Sequence, residues 1–155
     1  NLEFVPNNNV LELFLNGKNI NQEIREHRVS NNVSIIAKQP EVRDFLLEFQ
    51  RNLAAKGGVI MDGRDIGTVI LPNADFKFFV TASPEERAKR RFLELQHLGI
   101  EASYEEVYQN LVSRDKIDSE RDVAPLKQAD DAILIDNTIL NKQETIELIL
   151  SYLAQ

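Results

Sequence analysis

Val59-Ile60-Met61-Asp62-Gly63-Arg64-Asp65-Ile66-Gly67-Thr68 is the stretch that decides the fold. Its first three residues are a compact apolar run, which fits a parallel strand covered on both faces. Asp62-Gly63-Arg64-Asp65 then lies beyond the carboxyl end of that strand, where open α/β sheets bind ligands. Two glycines allow close backbone approach, Arg64 offers a bidentate fork to a phosphate, and Asp65 can accept from an exocyclic amine. A tight turn with an Arg–Asp pair on its surface explains the same residues, because turns rich in Gly and Asp are common.

Downstream, strands and helices alternate. Residues 76–80 and 133–135 are further compact apolar runs. Ser83-Pro84-Glu85-Glu86 reads as a capping box with proline at the first helical position, opening a helix that runs to about Leu98 before Gly99. Ser103-Tyr104-Glu105-Glu106 is a second such box, and Asn141 with Glu144 resembles a third. The closing helix carries Ile146, Ile149, Leu150 and Leu153 on one face.

Upstream, residues 2–5 and 10–15 suit short strands separated by the breakers Pro6-Asn7-Asn8-Asn9. Asn16-Gly17 is a two-residue hairpin signal, with residues 18–20 as the returning strand. A short helix is expected over 29–37, with Val33, Ile36 and Ala37 at helical spacing. A longer one opens at Pro40, carries the stripe Val42, Phe45, Leu46, Phe49 and Leu53, and stops at Lys56-Gly57-Gly58. The fold class is α/β: a parallel sheet with helices over 58–155, preceded by a small α+β unit over 1–57.

The 155 residues suffice for one domain with a small appendage, and 43% hydrophobic with 28% charged residues is an ordinary globular balance. Eighteen basic against twenty-five acidic residues give a net charge of −7. That balance argues against a nucleic-acid polymer or a membrane surface as partner, while leaving room for a small anion in a local basic pocket. No apolar run approaches a membrane span and no signal-peptide pattern opens the chain. Zero cysteines exclude a disulfide framework, a thiolate zinc site and a thiol nucleophile, and fit a cytoplasmic setting.

Arg114, Asp118 and Arg121 fall at i, i+4 and i+7, which on a helix puts them on one face. They could order a triphosphate or a sugar hydroxyl; taken alone they read more simply as a solvated face stitched by salt bridges. The run Arg87, Lys89, Arg90 and Arg91, interspersed with Glu85, Glu86 and Glu94, reads as solvent-facing. His27 and His97 have no metal-like spacing and read as structural, and no metal site is expected. Gly58 and Gly63 are spaced as in a Walker A loop, but Arg64-Asp65 stands where Lys-Ser/Thr is required.

Taken together, residues 59–69, residues 82–91 and Arg114-Asp115 through Asp118 and Arg121 to Val123-Ala124-Pro125-Leu126 resemble the bacterial cytidylate kinases over nearly the whole chain. The resemblance implies a nucleoside monophosphate kinase-like fold with a lid near 114–126, and it likens the opening α+β unit to the family's monophosphate-binding insert. It implies transfer of the ATP γ-phosphate to CMP or dCMP, with Mg²⁺ accompanying ATP. Ser34, Arg43 and Asp65 match cytosine-reading positions. Arg64 and Arg121 match phosphate clamps, Arg114 and Asp118 match lid residues near the sugar and phosphates, and Arg90 matches a position near ATP. Arg64, Arg114 and Arg121 are thereby the catalytic candidates.

The family also begins with a strand and a Gly-rich Walker A loop, for which residues 1–155 hold no counterpart. The implied fold is incomplete, lacking the central strand between 59–61 and 76–80. The chain by itself is therefore expected not to catalyse, and its bare apolar edges to drive dimerisation, swapping or repacking. The alternatives are a non-catalytic CMP-binding module and a purely structural fragment.

Overall fold

The computed structural model describes residues 1–8 and 10–154 and all but the side chain of His27. The readings of Asn9 as part of a breaker and of His27 as structural fall outside what is described. The chain forms two compact units, residues 1–37 and 38–155. The expected division falls instead at Gly57, after the second helix.

The first unit is an antiparallel meander of β1 (Leu2–Asn7), β2 (Val10–Leu15) and β3 (Lys18–Asn19), followed by a 3₁₀ turn and helix α1 (His27–Ala37). Leu2 pairs with Leu15, Phe4 with Leu13 and Pro6 with Leu11, which sets an all-apolar row on one face of the ribbon. Pro6 is thus inside a strand, tolerated because β1 is an edge. Leu15 pairs with Lys18 across Asn16-Gly17, and both loop residues have positive φ (50° and 80°), as a type I′ turn requires. On α1 the buried residue is Ser34, while Val33 and Ile36 are exposed, so the expected apolar spacing does not mark the covered side.

The second unit opens with α2 (Pro40–Ala54), whose proline sits in the first turn as expected. Its last turn is tied by Arg51, which donates from Nε to the Ile70 carbonyl (3.0 Å) and from Nη2 to the Val69 carbonyl (2.8 Å). Those carbonyls end a π-helical turn, Ile66–Ile70. Two parallel strands, β4 (Phe78–Thr81) and β5 (Ile133–Asp136), pair in register from Phe78–Ile133 to Thr81–Asp136. Helix α3 (Pro84–His97) packs on α4 (Tyr104–Glu120) through Ala88, Leu95 and Val107, and α5 (Lys142–Leu153) closes the chain. Phe92 meets Tyr104 edge-on, and Tyr104 stacks on Tyr108. Ala88 is fully buried, and its small side chain lets the two helices approach.

The caps behave unequally. Ser103/Glu106 and Asn141/Glu144 form complete capping boxes. At Ser83 only half forms: Ser83 Oγ accepts from the Glu86 amide, but the Ser83 amide donates to Thr138 Oγ1 and the Glu86 carboxylate accepts from Arg90.

One expectation is overturned. Residues 59–61 form no strand, and Ile60 is fully exposed. A parallel strand is stabilised by ladder neighbours, and among the described residues β4 pairs only with β5. Helix α5 forms where expected, with Ile146, Leu150 and Leu153 exposed and Tyr152 meeting Phe78 with ring centroids 6.2 Å apart. The accessible surface is 11260 Å². Two separate compact globules of these sizes would expose about 9,300 Å², so the chain exposes more surface than that, large apolar side chains included.

Lys77 illustrates how the sheet is held at its entry. Its side chain is only 7% exposed; Nζ donates to both oxygens of Asp131 (2.8 and 2.6 Å) and to the Pro72 carbonyl. The hydrogen bond from Lys77 holds the Asp131 carboxyl below its ordinary range. A carboxyl depressed in the folded state adds stability above its unfolded pKa, and that stability is lost as pH falls. Asp131→Asn is therefore expected to lower the urea midpoint at neutral pH. The gap from the unsubstituted chain should close as pH drops through and below the ordinary carboxylate range. A gap that persists in acid would assign the effect to packing instead.

Candidate functional site

Asp65 sits where the extended segment after Gly58 turns into the π-helical turn. Its carbonyl accepts the amides of Val69 (2.9 Å) and Ile70 (3.2 Å), which fixes the backbone beneath the carboxylate. π-turns are uncommon and recur at functional positions. The carboxylate is 8% exposed; Oδ2 accepts from Arg43 Nη2 of α2, and Oδ1 lies 3.5 Å from Arg121 Nη2.

Asp118, in the last turn of α4, is the second anchor, with its side chain 4% exposed. Its Oδ2 accepts from Arg64 Nε at 3.1 Å, and Oδ1 lies 3.7 Å from Arg121 Nη1. Arg121 is the residue that leaves the helix, with φ −68° and ψ 142°, and its side chain is 4% exposed. It therefore reaches Asp118 from the cap and not from the helix face that the i, i+7 spacing implied. Its Nε donates to the Ala124 carbonyl at 2.7 Å.

Arg114, one turn before Asp118, completes the group. Its Nε is buried with no hydrogen-bond partner, as is Arg121 Nη2. Burial, and then the Arg64 charge, lower the Arg114 pKa from its ordinary value. Burial, and then Arg43, do the same to Arg121, with Asp65 and Asp118 opposing. Four guanidinium groups thus gather around two carboxylates. Such a cluster has two positive charges in excess and two buried donors to satisfy, a combination suited to a doubly charged anion with several acceptor oxygens.

The structure thus brings Arg43, Arg64, Asp65, Arg114, Asp118 and Arg121 together within the second unit. Ser34 belongs to the first unit. Arg90 stands apart from the cluster: its guanidinium is held by Glu86 (3.0 Å), by Asn137 Oδ1 and O (3.1 and 2.8 Å) and by the Leu140 carbonyl (3.2 Å). The expectation that the basic run on α3 faces solvent is corrected on this point. It is also corrected at Arg87, which forks onto Asp115 (3.2 and 2.5 Å) and donates to the Ala82 carbonyl. The space beside Gly67 is occupied by the Lys77 side chain, since a Cβ there would lie 3.3 Å from Lys77 Cδ.

Sequence reading missed Arg51, whose partners are backbone carbonyls, and Ala124, whose own carbonyl is the acceptor; neither contact carries a residue signature. Among the described residues no group of three or more His, Cys, Asp or Glu could hold a metal, and no helix is long and apolar enough to cross a membrane.

The sequence model of one family, Cytidylate kinase, matches residues 1–155. A cytidylate kinase from an Exiguobacterium species (strain AT1b) is 51% identical over 148 residues, 96% of this chain and 66% of the relative. Another from Bacillus cereus (strain G9842) is 48% identical over 151 residues, 97% and 67% respectively. A third, from Clostridium perfringens (strain SM101), is 53% identical over 142 residues, 92% and 65% respectively. The chain spans about two thirds of the length of the curated relatives it matches. With the family match running through both units and across every member of the arginine–aspartate cluster, the chain belongs to the cytidylate kinase family.

Proposed function

We propose that this chain is the monophosphate-binding and lid portion of a cytoplasmic kinase that transfers the γ-phosphate of ATP to CMP or dCMP, giving CDP or dCDP. The observation that carries the reading is the cluster's excess of two guanidinium groups, with Arg114 Nε and Arg121 Nη2 buried and without a hydrogen-bond partner. A nucleoside monophosphate brings a dianion to match that excess, and its oxygens would take those donors. Arg64, Arg114 and Arg121 hold the phosphate and stabilise charge during transfer, with Asp118 orienting them and meeting the sugar. Asp65 accepts from the cytosine amine, while Arg43 donates to the ring acceptors. Arg90 acts on the ATP side through the 137–140 loop that it fastens.

Mg²⁺ accompanies ATP in such a reaction, but the residues of this chain do not fit the ion. Asp65 and Asp118 are both committed to arginines, and the described residues hold no acidic cluster for it. Residues 1–155 also contain no Gly-x-x-x-x-Gly-Lys-Ser/Thr sequence to cradle the β- and γ-phosphates. The chain by itself therefore binds CMP without turning it over. A second reading, a CMP-binding module that never catalyses, draws on the unpaired 59–61 segment and the two-stranded sheet. Those bare edges also favour dimerisation or strand exchange of the 155-residue chain.

Titration calorimetry of this chain is expected to detect CMP, to detect UMP more weakly, and to give no phosphoryl transfer from ATP in a coupled assay. CMP and UMP binding alike, or neither binding, would sink the substrate reading. Measurable CDP formation would sink the claim of inactivity.

A further inference from the structure

Ala124 has φ +49°, in the left-handed region, although it carries a Cβ. That conformation brings Cβ against the following carbonyl oxygen. Pro125 comes next, and the residue before a proline is driven towards extended backbone. Two steric rules therefore oppose the conformation, and strain of this kind persists where the surroundings over-determine it. Here the surroundings are specific. The Ala124 carbonyl accepts from Arg121 Nε at 2.7 Å, and the Leu126 amide donates to the Asp118 carbonyl at 2.7 Å. Residues 121–126 thus fold back over the last turn of α4, holding the Arg121 side chain through the Ala124 carbonyl and the Asp118 backbone through the Leu126 amide.

We propose that Ala124 is a positioning residue: its left-handed backbone aims its carbonyl at Arg121 Nε and so locks the Arg121 fork towards the anion site. This rests on the reading of Arg121 as a ligand of the nucleotide phosphate. With Nε anchored, Nη1 and Nη2 are left facing Asp118 and Asp65, and Nη2 retains a donor for an incoming oxygen. An extended Ala124 would turn the carbonyl away and free the guanidinium to rotate.

The test compares Ala124→Val, which a β-branched side chain forces out of the left-handed region, with Ala124→Gly and Ala124→Asn, which tolerate it. Two quantities are read on the 155-residue chain: exchange of the Arg121 Nε–H by NMR, and CMP affinity by calorimetry. The valine variant is expected to speed that exchange at least tenfold and weaken CMP about tenfold, with native circular dichroism. The glycine and asparagine variants should match the original chain in both. A valine variant that keeps slow exchange and full affinity overturns the proposal. A loss shared by glycine and asparagine does so too, since it would make side-chain contacts the cause. If the original chain binds no CMP while the exchange pattern holds, the anchoring stands and the phosphate reading falls. Should the valine variant not fold, the original chain decides: Arg121 Nε–H must exchange at least tenfold more slowly than that of exposed Arg25, and equal rates reject the anchor.

Discussion

Arg121→Ala is expected to destabilise the chain by about 3 kcal/mol and to abolish CMP binding. The arginine is buried between Asp65 and Asp118, whose side chains are 8% and 4% exposed. Removing it takes from each carboxylate one of its two arginine partners in a site that water barely reaches. Each keeps one other arginine, Arg43 for Asp65 and Arg64 for Asp118, which places the cost at the lower end for a broken buried pair. Against the 5–15 kcal/mol that stabilises ordinary domains, such a loss is visible as a large shift of the urea midpoint. The cause can be separated from packing by a double-mutant cycle. Asp118→Asn should destabilise the original chain, and cost less in the Arg121→Ala background, because the Arg121–Asp118 pair that it breaks is already gone there. Additive effects, or an unchanged midpoint, would mean that the ion pairs do not hold this region together.

What could be read from the sequence divides along physical lines. The Asn16-Gly17 turn and the caps at Ser103 and Asn141 form as expected because their chemistry is complete within four residues. The parallel pairing of β4 and β5 follows from their unbroken apolar character. Residues 59–61 have the same character and form no strand, because apolar composition makes a strand only where another strand accepts it. The α5 helix with Ile146, Leu150 and Leu153 forms as expected yet leaves them exposed: a helix face is defined locally, but its cover is not. At the site, resemblance supplied the residue identities, while Arg121 at the helix cap, Arg51 on two carbonyls and the Arg87–Asp115 fork depend on backbone paths that spacing does not encode. Ser83 shows the limit most clearly. Its box is half-formed because Thr138, 55 residues along, takes the amide that Glu86 would have reached.

Asp65→Asn is expected to erase the preference for CMP over UMP, and the direction follows from hydrogen-bond chemistry. A carboxylate only accepts, so it welcomes the cytosine amine and faces the uracil O4 as one acceptor facing another. A carboxamide can rotate to present either its oxygen or its NH₂, which satisfies both bases. The substitution also withdraws the charge shared by Arg43 and Arg121, adding to the excess of positive charge around the phosphate. CMP should therefore weaken by about ten- to a hundredfold through loss of a charge-assisted bond, while UMP holds or gains. Calorimetric titration of both nucleotides into both proteins measures the ratio directly. If the two nucleotides weaken by the same factor, Asp65 serves only to hold the arginines, and base reading must lie elsewhere. If CMP alone weakens, the buried carboxylate both organises the cluster and chooses the base. Selectivity and stability would then be inseparable at this position: any side chain that relaxes the choice of base also leaves Arg43 and Arg121 without their common partner.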